Sequence, residues 1–88
     1  MMNTNDQPWY TYIVSCNDQT LYTGITNNLD KRIDAHNSGV GAKYTRSRRP
    51  IRLLYSEKHE SRSAAAKREY QLKKLPPAEK RKIISEQK

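Results

Sequence analysis

Two short segments of strand-forming residues lie close together near the start of the chain. In WYTYIVSCNDQTLYTGIT, the runs Trp9–Ser15 and residues 20–25 are rich in aromatic and β-branched residues, and a polar segment over residues 16–19 separates them. Two such runs joined by a short polar connection are typical of an antiparallel hairpin. The hairpin would hold Tyr12 and Tyr22 beside each other, either as ordinary cross-strand partners or as part of a site.

The rest of the chain divides into helices and one more strand. The predicted elements are a helix over residues 29–38, a connection with a helical turn over residues 39–50, a strand over residues 51–57, a helix over residues 61–75 and a short helix over residues 78–86. Asn27 or Asn28 can cap the first helix, Gly39 can end it, and Ser61 can cap the second helix. The predicted fold is therefore α+β, a three-stranded antiparallel sheet flanked by helices in the order β-β-α-β-α-α.

Length and composition fit one small domain. A chain of 88 residues buries only about 60–65% of the surface that its unfolded form exposes. We expect a flexible N-terminus over residues 1–8, the domain over residues 9–75, and a basic helix over residues 76–88 that packs on the domain or trails it. The single cysteine cannot form an internal disulfide, and no signal peptide or membrane-length apolar run stands out. These features predict a soluble cytoplasmic protein without a membrane partner.

Positive charge is concentrated in the later part of the chain. The formal net charge is +8. Residues 1–30 contain three acidic residues and no basic residue, so all 17 basic residues follow residue 30. The residues that we predict to contact nucleic acid form one basic cluster, with one further residue in a later basic stretch. They are Lys43, Tyr44, Arg46, Arg48, Arg49 and Arg52 in the cluster, and Lys73 in the later stretch. Basic residues around an aromatic ring suit phosphate contacts with base stacking, so the cluster predicts a nucleic-acid surface. A solvated charged surface is the alternative.

Polar side chains fall on the apolar faces of two predicted helices. Arg32 and His36 lie three and seven positions after Leu29, so the three side chains share one face of the predicted helix. Glu69 lies on the apolar stripe of the later helix with Ala65, a place that a carboxylate avoids unless it is paired or binds a cation. Each residue also has a structural alternative. Arg32 could form an ion pair with Glu69, and His36 could lie at the rim of the core.

Together these residues resemble the GIY-YIG nuclease family, a superfamily of small metal-dependent endonuclease domains. Tyr10-Thr11-Tyr12 corresponds to the family's Gly-Ile-Tyr element and Tyr22-Thr23-Gly24 to its Tyr-Ile-Gly element. Arg32 and His36 correspond to the family's helix arginine and to the His or Tyr one turn later, and Glu69 corresponds to the metal-binding glutamate. The resemblance covers residues 9–75. It is strongest with small stand-alone bacterial members, which share LYTGIT, an Ala-Lys-Tyr-Thr loop and a basic tail.

The resemblance implies the chemistry of the site. Glu69 would hold one divalent cation, Mg²⁺ or Mn²⁺. A lone carboxylate is a poor cage for Mg²⁺, but that ion keeps several waters and completes its shell with substrate phosphate, so its binding would be weak without DNA. Arg32 would clamp the phosphate. Tyr12 or Tyr22 would orient or deprotonate the attacking water, and the general base would be the Tyr12–His36 pair.

The implied function is metal-dependent hydrolysis of DNA phosphodiester bonds. Gly24 would let a DNA backbone approach the second strand, unless it marks only a bulge or a strand end. No feature suggests base readout, so we expect an endonuclease directed by DNA structure, in repair or recombination. The alternatives are a non-catalytic DNA-binding module and an accessory nuclease subunit that needs a protein partner. A homodimer could place two sites on one duplex.

Overall fold

Residues 8–87, which the computed structural model describes, form three strands and four helices. The elements are β1 (Trp9–Ser15), β2 (Leu21–Thr26), α1 (Leu29–Ser38), α2 (Lys43–Arg46), β3 (Arg52–His59), α3 (Arg62–Lys73) and α4 (Pro77–Glu86). The predicted flexible N-terminus lies outside the described residues except for Pro8. None of these four helices is long and apolar enough to cross a membrane.

Strand β1 is the central strand of the sheet. The strand order is β2-β1-β3, and both neighbours are antiparallel to β1. The β1–β2 register pairs Tyr12 with Gly24 and Val14 with Tyr22. Because side chains alternate along a strand, Tyr12 and Tyr22 lie on the same face of the sheet. The predicted α+β fold is thus confirmed, and the hairpin brings the two motif tyrosines to one face.

One face of the sheet is covered by α1. Tyr12 and Val14 form an apolar cluster with Ile51, and Leu29 and Ile33 of α1 pack against it. Leu29 and Ile33 are only partly buried, so each contributes part of the ~1.5–3 kcal/mol that full burial of an aliphatic side chain supplies. The apolar stripe of α1 therefore fixes the helix on the face that carries the two motif tyrosines.

The opposite face packs against α3 and α4. Ile13 and Tyr55 form a second apolar cluster with Leu72 of α3, and Ile83 and Ile84 of α4 pack against it. Ile13 neighbours Tyr12 along β1, so the alternation of side chains separates the two clusters. Helices α1 and α3 accordingly lie on opposite faces of the sheet.

Local signals begin the two longer predicted helices and end α1 as expected. The Asn28 side chain accepts a hydrogen bond from the Lys31 backbone N–H at 3.1 Å, and Ser61 accepts one from Ala64 at 3.1 Å. Gly39 ends α1 with φ 90°, a left-handed conformation that glycine adopts without a steric penalty. Of the two asparagines proposed as caps, Asn28 is the one that caps α1.

Several element boundaries differ from the sequence prediction, including the start of β3 at Arg52, one residue later, and the start of α4 at Pro77, one residue earlier. Strand β3 is two residues longer at its end, because pairing with β1 continues to His59. Helix α3 ends at Lys73 rather than at residue 75, and Leu75 packs against the second apolar cluster. Strand β2 begins and ends one residue later, since Thr20 belongs to the turn and accepts a hydrogen bond from the Cys16 N–H at 2.9 Å. The predicted helical turn of the connection is α2.

Candidate active site

A tyrosine and a histidine meet in the interior between β1 and α1. The Tyr12 hydroxyl oxygen lies 3.0 Å from Nε2 of His36, and both residues are fully buried. Buried polar groups destabilise a fold unless they are hydrogen-bonded, so this contact is needed for both residues. The packing of α1 on the sheet brings the pair together from positions 24 residues apart in the chain.

Thr45 sets the positions of the protons in this pair. Its hydroxyl oxygen, also fully buried, lies 2.7 Å from Nδ1 of His36 and 3.0 Å from the carbonyl oxygen of Ala42. A carbonyl can only accept, so the Thr45 hydroxyl donates to Ala42 and its oxygen accepts from Nδ1–H. Nε2 of neutral His36 then carries no proton and accepts from the Tyr12 hydroxyl. Thr45 thereby selects the tautomer in which His36 can take a proton from Tyr12.

The surroundings keep both members of the pair uncharged near neutral pH. Burial, with the positive charge of Arg32 as the second cause, lowers the pKa of His36 to about 4. Burial also raises the pKa of the Tyr12 phenol, although the hydrogen bond and the charge of Arg32 oppose that change. In each case the buried environment disfavours the charged form. A neutral histidine therefore faces a protonated tyrosine.

Arg32 and Tyr22 complete the cluster on this face. Nε of Arg32 donates to the Tyr12 hydroxyl at 3.3 Å. This hydrogen bond is the main cause that raises the pKa of Arg32, and Tyr22 contributes to the same shift. The Tyr22 ring lies edge-on to the His36 ring with 5.6 Å between centroids. Four of the five predicted catalytic residues are thus in contact, and their catalytic roles stay a prediction.

Two glycines leave room for the tyrosine–histidine pair. A Cβ atom on Gly24 would lie 2.5 Å from the Tyr12 hydroxyl oxygen, and one on Gly41 would lie 2.5 Å from Nδ1 of His36. Gly41 therefore allows the loop before α2 to close over His36. The space beside Gly24 is occupied by Tyr12 in the free chain, so the predicted approach of a DNA backbone to Gly24 stays a prediction.

Glu69, the fifth predicted catalytic residue, lies on α3. Its carboxylate forms an ion pair with Nζ of Lys73 at 3.2 Å, and its side chain is 24% exposed. Its negative charge contributes to the raised pKa of Tyr12, so Glu69 is within electrostatic range of the pair. No group of three or more His, Cys, Asp or Glu side chains among residues 8–87 could hold a metal ion. Glu69 would consequently act as a single carboxylate ligand.

The predicted DNA-binding arginines differ in how far they are engaged by the protein. Nε of Arg48 lies 3.1 Å from Oδ2 of Asp18, and its guanidinium lies 4.0 Å from the centroid of the Tyr44 ring. Arg49 donates to the carbonyl oxygen of Asn37 at 3.2 Å and so ties this segment to α1. Lys73 forms the ion pair with Glu69. Lys43, Arg46 and Arg52 face solvent, and the side chains of Tyr44, Arg49 and Lys73 are also exposed although each of them contacts another residue of the protein.

Sequence reasoning missed Thr45 and Gly41. Both belong to the stretch around the Ala-Lys-Tyr-Thr loop, which resembles the small bacterial members of the family, and that likeness was the available signal. No spacing rule connects either residue with His36, because the loop meets α1 only in the folded chain. Their importance is therefore visible in the contacts and not in the sequence pattern.

Fold and site together define a small nuclease-type domain, with a tyrosine–histidine–arginine cluster on one face of a three-stranded sheet and a helix carboxylate near it. The family model described as the GIY-YIG catalytic domain matches residues 8–82. The chain belongs to the GIY-YIG family, whose domains are generally metal-dependent nucleases acting on DNA.

Relatives of similar size confirm the resemblance to small bacterial members. The UPF0213 protein of Desulfotalea psychrophila is 56% identical over 81 residues, which cover 90% of this chain and 74% of that protein. The UPF0213 protein of Clostridium perfringens is 55% identical over 76 residues, covering 86% of this chain and 82% of that protein. A solution NMR structure of the UPF0213 protein from Bacillus halodurans is 42% identical with a TM-score of 0.57, covering 89% of this chain and 83% of that one. A solution NMR structure of an E. faecalis protein is 37% identical with a TM-score of 0.60, covering 92% and 88%.

Proposed function

We propose that this protein is a metal-dependent DNA endonuclease that hydrolyses phosphodiester bonds. The observation that carries the proposal is the directed series of hydrogen bonds from Arg32 through Tyr12 to His36, oriented by Thr45. A buried tyrosine that donates to a neutral histidine forms a path for a proton, and DNA binding alone would not need one. The family supplies the reaction, cleavage of nucleic-acid phosphodiesters.

The path gives the attacking water a place to leave its proton. Tyr12 is fully buried in the free chain, so bound DNA would first have to open its hydroxyl to the attacking water. As the water oxygen then bonds to phosphorus, the water proton passes to the Tyr12 oxygen and the Tyr12 proton moves to Nε2 of His36, 3.0 Å away. The bond from phosphorus to the 3′ oxygen breaks, and that oxygen is protonated from solvent. Throughout, Nδ1–H of His36 stays on Thr45, so the imidazolium keeps both hydrogen bonds.

Arg32 connects proton transfer with substrate binding. Its guanidinium keeps further donors besides the Nε that contacts Tyr12, and their planar fork matches the oxygens of a phosphate. Its positive charge is also the second cause of the low pKa of His36. A phosphate bound to Arg32 would offset that charge, which would raise the pKa of His36 and make the imidazole a stronger base when DNA is bound.

Glu69 fits a single Mg²⁺ or Mn²⁺ ion. Its carboxylate is partly exposed, and the side chain of its partner Lys73 is 53% exposed, so this ion pair can open to solvent. One carboxylate is sufficient for Mg²⁺, which keeps waters and takes further oxygens from a phosphate. When bound, the ion would polarise the phosphate and stabilise negative charge on the leaving oxygen.

The exposed basic side chains suit backbone contacts. Lys43, Arg46 and Arg52 can reach phosphates, and phosphate contacts carry no direct sequence information. We therefore propose that the structure of the DNA, rather than its sequence, directs cleavage, as repair or recombination requires. A non-catalytic binder is the second candidate, favoured only by the charge.

A nicking assay tests the proposed function. Labelled single-stranded, duplex, flap and four-way DNA would be incubated with Mg²⁺, Mn²⁺ or EDTA and with wild type, Glu69→Gln or Arg32→Ala. Glu79→Gln is the matched control, because it removes an exposed carboxylate on α4. Circular dichroism checks that each variant is folded.

We expect metal-dependent cleavage by wild type and Glu79→Gln, and a loss of at least about 100-fold in Glu69→Gln and Arg32→Ala. Wild-type activity in Glu69→Gln would show that the assigned metal ligand is wrong. Tight, salt-sensitive binding without cleavage in any metal would support the binder instead.

A further inference from the structure

A cavity of about 330 Å³ lies between the hairpin turn and α4. We call it the α4 cavity, and its walls include Gln19, Leu21, Tyr44, Pro77, Lys80 and Arg81. Of these residues only Tyr44 belongs to the predicted DNA-binding cluster. The α4 side of the cavity has no part in the proposed mechanism.

Helix α4 is held firmly as one wall of this cavity. Ile83 and Ile84 pack against the second apolar cluster. Nη2 of Arg81 donates to the carbonyl oxygen of Gln19 at 2.9 Å, and Gln87 donates to a β3 carbonyl at 2.8 Å. Because the helix has contacts along its length, the cavity is part of the packed fold.

Aromatic rings join the α4 cavity to the active site. The Tyr44 ring stacks on the Tyr22 ring with 5.8 Å between centroids, and Tyr22 in turn lies 5.6 Å from His36. Arg48, 4.0 Å from the Tyr44 ring centroid, helps to hold that ring in place. A DNA strand whose phosphate reaches Arg32 would therefore need only a short extension to enter the cavity.

The lining combines apolar surface with positive charge. Leu21, Pro77 and the Tyr44 ring form apolar walls, and Lys80 and Arg81 supply cationic groups. This combination suits single-stranded nucleic acid, because an unpaired base exposes its apolar faces while its phosphate stays charged. A duplex keeps its bases stacked inside and is too wide for a cavity of this volume.

We propose that the α4 cavity binds an unpaired nucleotide of the DNA strand that enters the active site. This inference rests on the proposed endonuclease function and narrows its substrate class. The substrate would be DNA with a single-stranded segment beside the cut, such as a flap or an overhang.

Two lysines on α4 provide a matched test. Lys80→Ala and Lys82→Ala each remove one positive charge from the same helix, but Lys80 lines the cavity while Lys82 is exposed outside its lining. Fluorescence anisotropy in EDTA, with a labelled oligothymidylate and with a blunt duplex, measures binding without cleavage. Circular dichroism confirms that both variants are folded.

Lys80→Ala should weaken binding of the single strand about five- to tenfold, and Lys82→Ala less than about twofold, with little difference between the two variants on duplex DNA. Equal losses in both variants would reduce the effect to general electrostatics and overturn the proposal. An equal loss for Lys80→Ala on duplex and single strand would also overturn it.

Cleavage assays with Mg²⁺ separate this inference from the proposed function. If the wild type cuts flaps while the two lysine variants bind single-stranded DNA equally well, the proposed nucleotide binding in the α4 cavity is refuted and the proposed nuclease function stands. If Lys80→Ala selectively loses single-strand binding in a protein that cuts nothing, the cavity stands and the nuclease is refuted.

Discussion

Among the single residues, Thr45 determines which ring nitrogen of His36 carries the proton and which can accept one. Because the Ala42 carbonyl can only accept, the Thr45 hydroxyl must donate to it, and this one bond sets the direction of both hydrogen bonds of His36. His36 donates to Thr45 and accepts from Tyr12, and Tyr12 accepts from Arg32. With the other tautomer, Nε2 would present a proton to Tyr12 and could not receive one.

Replacing Thr45 should change the tautomer of His36. Valine resembles threonine in shape but offers no acceptor, so Thr45→Val should leave Nδ1–H unpaired and lower the free energy of unfolding by about 1–3 kcal/mol. We expect cleavage to fall about ten- to a hundredfold, because part of the histidine population would carry its proton on Nε2. The control Thr45→Ser keeps the hydroxyl and should retain both stability and activity.

Long-range ¹H–¹⁵N NMR correlations of the imidazole measure this effect directly. In wild type, Nδ1 of His36 should appear protonated and Nε2 unprotonated, and the two signals should move towards each other in Thr45→Val. An unchanged tautomer in that variant would contradict the role assigned to Thr45, whatever happens to stability.

Among the elements, the register of the hairpin creates the site. Pairing of Tyr12 with Gly24 places the tyrosine on the face that α1 covers, and a shift by one residue would turn it towards α3. Gly24 matters here for the space it leaves, because the Tyr12 ring and hydroxyl occupy the position of its missing side chain. The pairing of β1 with β2 and the packing of α1 on the sheet therefore together position Tyr12 beside His36.

Adding one methyl group to β2 tests this dependence. In Gly24→Ala the new Cβ would lie 2.5 Å from the Tyr12 hydroxyl oxygen, so the ring or the strand must shift, which would disturb the 3.0 Å contact between Tyr12 and His36. We expect the free energy of unfolding to fall by about 1–3 kcal/mol in urea titrations, with at least a tenfold loss of cleavage, roughly the contribution of a general base. Ile25→Val, in the same strand but on the other face, is the control and should remain active. Unchanged stability and activity in Gly24→Ala would show that β2 adapts.

At the scale of the whole molecule, the basic residues and the hairpin at the centre of the core occupy different parts of the sequence. The hairpin that forms the centre of both apolar clusters contains no basic residue, and all 17 basic residues follow residue 30. Some of this charge is used within the fold, since Arg49 donates to the carbonyls of Arg46 and Asn37. Exposed side chains such as Arg46 remain available for a polyanion.

This division predicts different effects for two neighbouring arginines. Arg46→Ala should weaken DNA binding and reduce the slope of log affinity against log salt by about one, with the melting temperature unchanged. Arg49→Ala should lower the melting temperature, because two backbone carbonyls lose their donor. Binding isotherms at several salt concentrations and thermal melts of both variants measure this. A lower melting temperature for Arg46→Ala with an unchanged salt slope would contradict the assignment.

Much of the fold could be predicted from local signals. Strand β1 has its predicted limits, Asn28 and Gly39 bound α1, and α2 occupies the predicted helical turn. The boundaries that differ are decided by neighbours, since β3 extends as far as β1 pairs with it and Leu75 packs beyond the end of α3. Periodicity along one segment does not contain that information.

The sequence by itself determined the elements, the uneven charge, and the motif residues that mark the family. Those properties depend on the order and type of nearby residues, so patterns of two to four positions reveal them. Only the tertiary structure decided that Thr45 orients His36, that Tyr12 fills the space beside Gly24, and that α4 closes a cavity next to Tyr44. Each of these contacts joins residues from different elements, and their distances are set by how helices pack on the sheet.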